Sequence, residues 1–159
     1  MTFSTADLSD ANEGRVQVVS PALRAFGKRA SFHGPIVTLR ALGDFSRVRE
    51  LTAQPGAGRV LVVDNQGRLD CAVCGDRLAA AASTNGWAGI VVNGCIRDSA
   101  DIDEMDIGVR ALATIPCRGS NEGLGDIGVE LEFLGAVFRP GEILYCDGDG
   151  IILSPSALL

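Results

Sequence analysis

Residues 75–98, which read GDRLAAAASTNGWAGIVVNGCIRD, constrain the fold of this chain more than any other stretch. They contain a helix that is predicted from a run of strong helix formers at residues 77–82 and that is expected to end near Asn85-Gly86. An apolar strand is predicted on either side of it, at residues 69–74 and 87–93. Parallel neighbouring strands bring their carboxyl ends to the same edge of a sheet, where open α/β sheets bind ligands. We therefore expect the start of the helix to lie beside Arg97 and Asp98, which follow the second strand.

The residue types at this edge predict a small anion and metal site. Gly75 permits close backbone approach, Asp76 is predicted as the helix N-cap, and first-turn N–H groups favour a carboxylate or phosphate. Arg97 can hold a carboxylate in a bidentate fork, and Asp98 can give a hard divalent cation one protein ligand. A 2-oxo acid suits such a site. Taken alone, an Arg-Asp pair after a strand is usually a surface ion pair, so the prediction depends on the glycine turn upstream.

The same residues carry a resemblance to a known family. An Asp separated by twenty residues from an Arg-Asp pair is the signature of the family named for the regulator of ribonuclease activity A, and Asp76 stands at that spacing from Arg97 and Asp98. The chain resembles this family over nearly its whole length. The further similar stretches are TADLSDA at 5–11, FHGPIVTLR at 32–40, GRVLVVDNQG at 58–67, DIGVRALAT at 106–114 and FRPGEILYCDGDGIILSP at 138–155.

The resemblance implies a fold and an activity. The implied fold is a swivelling-type α/β domain with β/β/α layers that spans residues 1–159 and assembles as a homotrimer. The implied activity is that of a Mg²⁺- or Mn²⁺-dependent lyase of the class II pyruvate aldolase type, which forms pyruvate through a metal-stabilised enolate. Its substrates are 4-hydroxy-4-methyl-2-oxoglutarate and oxaloacetate. The longer aldolases carry a C-terminal extension beyond the point where this sequence stops, so oxaloacetate decarboxylation is the activity we expect first.

The resemblance also implies roles for individual residues. The residues that line the substrate site are those at the start of the helix, Gly75, Asp76, Arg77 and Leu78. Arg97 binds the substrate carboxylate, and Asp98 is the metal ligand. Asp76 orients a water molecule that moves the proton, so Asp76 and Arg97 are the expected catalytic residues.

Two other functions are alternatives. Some short relatives inhibit ribonuclease E, so this chain is alternatively a non-catalytic regulator that binds a ribonuclease. Its formal net charge of −6 and the absence of a Lys/Arg cluster disfavour direct nucleic-acid binding and allow a basic protein partner. Relatives have also been labelled methyltransferases of quinone biosynthesis. That activity needs a glycine-rich turn for S-adenosylmethionine between a strand and a helix, whereas residues 59–67 lead into a predicted hairpin.

Several other motifs are interpreted as structural. The chain has an odd number of cysteines, five, and no recognisable export signal, which favours free thiols. Cys71 and Cys74 have the spacing of a zinc-binding pair, but the sequence contains no second such pair. His33 is interpreted as a structural residue near a strand end. The GxGxxG spacing at 123–128 follows a polar loop and precedes a strand, so we predict a flexible loop there. Residues 147–150 are predicted to form a hairpin turn.

The whole pattern predicts one mixed α/β domain rather than a repeating βαβ array. A hydrophobic fraction of 47% supports a substantial core. The polar N-terminus resembles neither a signal nor a transit peptide, and no apolar run approaches the ~20 residues that span a bilayer, so a cytoplasmic location without membrane contact is expected. Further helices are predicted at 5–12, 45–52 and 100–106, and further strands at 31–42, 59–64, 109–115, 129–133, 136–138 and in a final hairpin at 143–153.

Overall fold

The computed structural model describes residues 2–159, which form four helices and eleven strands. The helices are α1 (Thr5–Ala11), α2 (Ser46–Thr52), α3 (Asp76–Thr84) and α4 (Ser99–Ile102). The strands are β1 (Gln17–Val18), β2 (Arg24–Phe26), β3 (Phe32–Arg40), β4 (Val60–Asp64), β5 (Gly89–Ile96), β6 (Gly108–Thr114), β7 (Asp126–Ile127), β8 (Leu131–Phe133), β9 (Ala136–Phe138), β10 (Ile143–Asp147) and β11 (Gly150–Ser154). The predicted mixed α/β fold is confirmed.

The centre of the molecule is a parallel sheet in the order β3-β4-β5-β6. Its strands are joined through α2, α3 and α4, so this half is a βαβ series after all, contrary to the expectation of no such array. The series was hard to recognise because α2 has seven residues and α4 only four, too few for a clear helical period. All residues of β4 and β5 are buried, as expected for parallel strands covered on both faces.

An antiparallel half continues the same sheet through β3. The first four residues of β3 pair with β10 and its last five with β4, while the β10–β11 hairpin and β1 extend the antiparallel edge. Alternate residues of β4 point to opposite faces of the sheet and so belong to two different hydrophobic cores. Leu61 and Val63 pack in the cluster that includes residues of the helices, whereas Val60 and Val62 pack with Leu144 of β10. The antiparallel half therefore covers one face of the parallel half and the helices cover the other, which gives the expected β/β/α layers.

The predicted strand at residues 69–74 does not form. Gln66 and Gly67 are both left-handed (φ 58° and 69°) and close the predicted turn, but the chain then leaves β4 instead of pairing back along it. The N–H of Ala72 donates to the Cys117 carbonyl (2.8 Å), and the N–H of Val73 donates to the Cys95 carbonyl (3.2 Å). Residues 72–74 thus lie parallel to the end of β5. The expected neighbourhood is therefore right although the predicted hairpin is wrong.

The motifs interpreted as structural lie outside the cleft described below, except for Cys74. His33 stacks on Tyr145 with ring centroids 5.5 Å apart. Residues 123–128 form a loop that contains the short strand β7, and no helix follows it. Asp147 and Gly150 are paired at the turn of the predicted hairpin. All five cysteines are free, and Cys117 alone of them is exposed. In residues 2–159, no helix has the length and apolarity needed to cross a bilayer.

Candidate functional site

The start of α3 differs from its prediction by one residue. Gly75, with extended backbone (φ −133°), is the N-cap, and its carbonyl accepts the Ala79 N–H at 3.0 Å. Asp76 was predicted to be the cap, but it is the first helical residue. Its own N–H is instead satisfied by another element, because it donates to Oδ2 of Asp98 at 3.1 Å. The Asp76 carboxylate accepts the N–H of Arg77 at 2.8 Å.

Asp98 reaches α3 because of an unusual backbone conformation. It lies between β5 and α4 in the left-handed region (φ 58°, ψ 39°), which Asp tolerates better than most residues. Its Oδ2 lies 3.9 Å from Nε of Arg97, and Nη1 of Arg97 donates to the Pro116 carbonyl at 3.4 Å. The Arg97 and Asp98 side chains are 38% and 36% exposed. Both charged groups are therefore fixed at the protein surface with part of each open to solvent.

The lack of a side chain at Gly75 makes room for these two groups. A Cβ atom there would lie 2.7 Å from Oδ2 of Asp98 and 3.3 Å from Cγ of Arg97. The first distance is shorter than van der Waals contact permits. Glycine at this position therefore allows a carboxylate and a guanidinium to lie directly over the helix start.

A cleft of about 650 Å³ opens at this point. It is lined by all six residues predicted for the site: Gly75, Asp76, Arg77, Leu78, Arg97 and Asp98. The structure therefore brings the predicted residues together, while their chemical roles stay predictions. Sequence reasoning missed seven further lining residues, of which Phe45, Arg49, Arg118 and Asn121 form the wall opposite α3 and the other three are Ala72, Val73 and Cys74.

The wall that carries Arg118 is held in place by a buried carboxylate. Asp44 accepts hydrogen bonds from the backbone and hydroxyl of Ser46, from the Ser120 hydroxyl (2.8 Å) and from the Glu122 N–H (2.6 Å). Burial raises the pKa of Asp44, but these hydrogen bonds outweigh it and lower the pKa to about 2. Residues 118–122, predicted to be a polar loop, are thus fixed against the start of α2.

Arg49 of α2 is also held in a defined position at the cleft. Its Nη2 donates to Oδ1 of Asn121 at 2.8 Å, and its guanidinium lies 5.4 Å from the centroid of the Phe45 ring. The polar loop is the one sequence signal that could have indicated this wall. Its contact with α2 could not be predicted, because the two segments are about 70 residues apart along the chain.

The donor set of the cleft fits a hard divalent cation with few protein ligands. Among residues 2–159 no group of three or more His, Cys, Asp and Glu side chains is arranged to hold a metal. Burial, together with the nearby charge of Asp98, raises the pKa of the Cys74 thiol to about 12, so the thiol is neutral at physiological pH. Asp98 is a partly exposed carboxylate. A cation such as Mg²⁺ is commonly bound by one or two carboxylates together with water and substrate oxygens, so Asp98 could hold it.

Comparisons with known proteins agree on one family. The profile described as RraA-like, Aldolase/RraA, matches residues 5–153. A protein of Laribacter hongkongensis named as a candidate 4-hydroxy-4-methyl-2-oxoglutarate aldolase is 52% identical over 159 residues, which cover 100% of both chains. A Thermus thermophilus structure described as the RNA-processing inhibitor RraA has 40% identity and a TM-score of 0.96, covering 100% of this chain and 96% of that one. A Geobacillus kaustophilus structure described as an S-adenosylmethionine:2-dimethylmenaquinone methyltransferase has 41% identity and a TM-score of 0.96, with coverage of 98% and 97%.

Proposed function

The chain belongs to the RraA-like family, and on that premise we propose that it is a divalent-metal-dependent carbon–carbon lyase that releases pyruvate from small 2-oxo acids. The substrates proposed are oxaloacetate, by decarboxylation, and 4-hydroxy-4-methyl-2-oxoglutarate, by aldol cleavage. The observation that supports this proposal is the convergence of Arg97 and Asp98 over Gly75, at the start of a helix and in an open cleft. The candidate-aldolase names of relatives that span the whole chain support it at the level of the family.

Substrate binding is assigned to Arg97 and the first turn of α3. The Arg97 guanidinium has donors beyond the one directed at Pro116, and a planar guanidinium matches a carboxylate in two parallel hydrogen bonds. The early N–H groups of α3, such as that of Leu78, have no acceptor within the helix and favour an anion. Arg77 and Gly75 complete this wall. A 2-oxo acid is thereby oriented with its carboxylate toward the helix.

Proton transfer is assigned to Asp76. Its carboxylate lies at the cleft and is oriented by the Arg77 N–H, so it can position a water molecule beside the substrate. In aldol cleavage that water takes up the proton of the 4-hydroxyl group as the carbon–carbon bond breaks. In both reactions it gives a proton to the carbon atom from which CO₂ or the second carbonyl compound departs. Asp98 is assigned to hold Mg²⁺ or Mn²⁺, and when bound the cation supplies Lewis-acid stabilisation of the negative charge that develops on the 2-oxo oxygen.

The test is pyruvate release from each substrate with Mg²⁺ and with excess EDTA, measured against the uncatalysed metal background. We expect turnover that EDTA abolishes, and we expect Arg97→Ala and Asp98→Asn each to lower kcat/KM by about 10² or more. Matched controls are Arg24→Ala and Asp101→Asn, which remove the same charges outside the cleft and should keep full activity. Full activity in either cleft variant would overturn the site assignment.

A second candidate function is regulation of a ribonuclease. It is favoured by the similarity to the Thermus RNA-processing inhibitor and by a formal net charge of −6, which suits a basic protein partner. Binding to a purified ribonuclease E is expected at low salt and should be lost at about 0.5 M salt, because exposed charges are screened there. Failure to bind or inhibit the ribonuclease at any salt concentration would remove this candidate.

We also propose the homotrimer implied by the family. Its mass in light scattering should be about three times 16.6 kDa. The methyltransferase hypothesis receives less support. The turn after β4 contains the left-handed pair Gln66 and Gly67, and the chain then runs to Ala72, which bonds to Cys117. Residues 65–75 therefore do not form a glycine-rich loop. No binding of S-adenosylmethionine is expected in calorimetry.

A further inference from the structure

The cleft is positively charged although the protein as a whole is acidic. Its lining includes four arginines, Arg49, Arg77, Arg97 and Arg118, and two aspartates, Asp76 and Asp98. The proposed function uses one arginine for one carboxylate. The other arginines of the cleft are not explained by that function. Their positive charge is notable because the chain as a whole has a net charge of −6.

We propose that Arg118, supported by Arg49, binds the second carboxylate of a dicarboxylic 2-oxo acid whose first carboxylate lies on Arg97. This inference rests on the proposed function, whose two substrates are both diacids, and it assigns residues to the carboxylate that Arg97 does not bind. Arg118 and Arg49 then act as specificity residues. They would distinguish diacids from 2-oxo monoacids of equal length by the energy of one additional ion pair.

The backbone places Arg118 at a suitable distance from Arg97. Ala72 forms parallel bridges to Cys95 on one side and to Arg118 on the other, so residues 95 and 118 are separated by two strand spacings, roughly 10 Å. Arg97 follows two residues beyond Cys95. Both side chains line the cleft together with residues 72–74, so one short diacid in the cleft can meet a guanidinium at each end.

Arg118 is available for an anionic ligand. It is exposed, and no carboxylate in the described part of the chain pairs with its guanidinium. Most arginines outside the cleft behave differently. Arg29, Arg40, Arg68 and Arg139, for example, each lie within 4 Å of a carboxylate oxygen.

The wall that carries these cations is ordered before any ligand binds. The Gly119 N–H donates to the Ala72 carbonyl, and the Ala72 N–H donates to the Cys117 carbonyl, both at 2.8 Å, so the backbone on each side of Arg118 is fixed. The bonds to Asp44 hold the following residues, and Asn121 holds Arg49. A ligand therefore does not have to order this backbone, which favours binding.

The test is calorimetry in Mg²⁺ with 2-oxoglutarate and with 2-oxopentanoate, which has the same length but lacks the second carboxylate. We expect the wild-type protein to bind 2-oxoglutarate at least tenfold more tightly. Arg118→Ala should lose that advantage and leave the affinity for 2-oxopentanoate unchanged, while Arg118→Lys should retain part of it. Arg24→Ala is the control for a general change in charge.

The possible failures are distinguishable. Equal affinities in the wild-type protein, or equal weakening of both ligands in Arg118→Ala, would overturn the diacid inference and leave the lyase proposal to the pyruvate assay. Absence of turnover in that assay, with a preserved diacid preference, would overturn the lyase chemistry and keep the binding site. Binding of neither 2-oxo acid, together with no turnover in the pyruvate assay, would overturn both.

Discussion

Replacing Gly75 by alanine tests whether the position of the Asp98 carboxylate over α3 determines activity. The new Cβ would lie 2.7 Å from Oδ2 of Asp98, so the carboxylate must retreat by roughly 0.7 Å to reach ordinary contact. Gly75 has extended backbone (φ −133°), which alanine adopts without strain. The substitution therefore displaces one functional group without requiring a backbone change.

The expected effect on activity is large and the effect on stability is small. A displacement approaching 1 Å in a catalytic group lowers the rate by about 10²-fold. The carboxylate can rotate away at little cost because its side chain is 36% exposed. Loss of its bond to the Asp76 N–H is offset by the lower chain entropy of unfolded alanine, so the free energy of unfolding should change by less than about 1 kcal/mol. For a chain of this length that corresponds to a Tm shift below about 4 °C.

The assay pairs oxaloacetate decarboxylation in Mg²⁺ with thermal unfolding. Gly148→Ala is the matched control, since its Cβ meets no atom within 4 Å and its backbone is not left-handed. We expect Gly75→Ala to lose activity with a nearly unchanged Tm, and Gly148→Ala to keep both. Wild-type activity in Gly75→Ala would refute the argument that Asp98 must lie in its observed place.

Two further predictions concern stability and thiol reactivity. Asp44→Asn should lower the free energy of unfolding by about 2 kcal/mol at pH 7, because a pKa lowered from 3.8 to about 2 stabilises the folded state above pH 3.8 and loses that effect as the pH falls through 2. Chemical denaturation at pH 7 and pH 2.5 checks this, and an equal loss at both pH values would contradict it. Alkylation of the native protein at pH 8 should modify Cys117 alone, since Cys74 and Cys146 are buried with pKa values raised to about 12 and 11. Mass spectrometry checks the labelling, with the unfolded protein as the control that reacts at all five thiols, and rapid native labelling of Cys74 would contradict the packing.

Elements defined by local pattern were predicted well from the sequence. The helix formers of α3 and the Ile and Val run of β5 gave both elements to within a few residues. The stretch at residues 69–74 has an equally apolar pattern but is not a strand of the sheet. Its hydrogen bonds run to Cys95 and Cys117, partners that no local pattern identifies.

Parts of the candidate site lay beyond sequence reasoning for a related reason. Asp76 has the composition of an N-cap, but the Asp98 carboxylate, which comes from a different element, accepts its N–H. Arg49 and Arg118 belong to segments about 70 residues apart, and the buried carboxylate of Asp44 joins those segments. A family signature marks residues that keep a fixed spacing along the chain, so it found one wall of the cleft and missed the other.

The left-handed backbone at Asp98 restricts which substitutions can be interpreted. Asn and Gly accept this conformation readily, whereas most other side chains add about 1–2 kcal/mol of strain. A saturation library at position 98, sorted first for folding and then for turnover, should therefore yield two nested sets. Asp, Asn and Gly should be the most stable members of the folded set, and Asp alone should survive the second sorting. The residue at position 98 must therefore meet two separate requirements, a carboxylate and a left-handed backbone. Glutamate meets only the first of them.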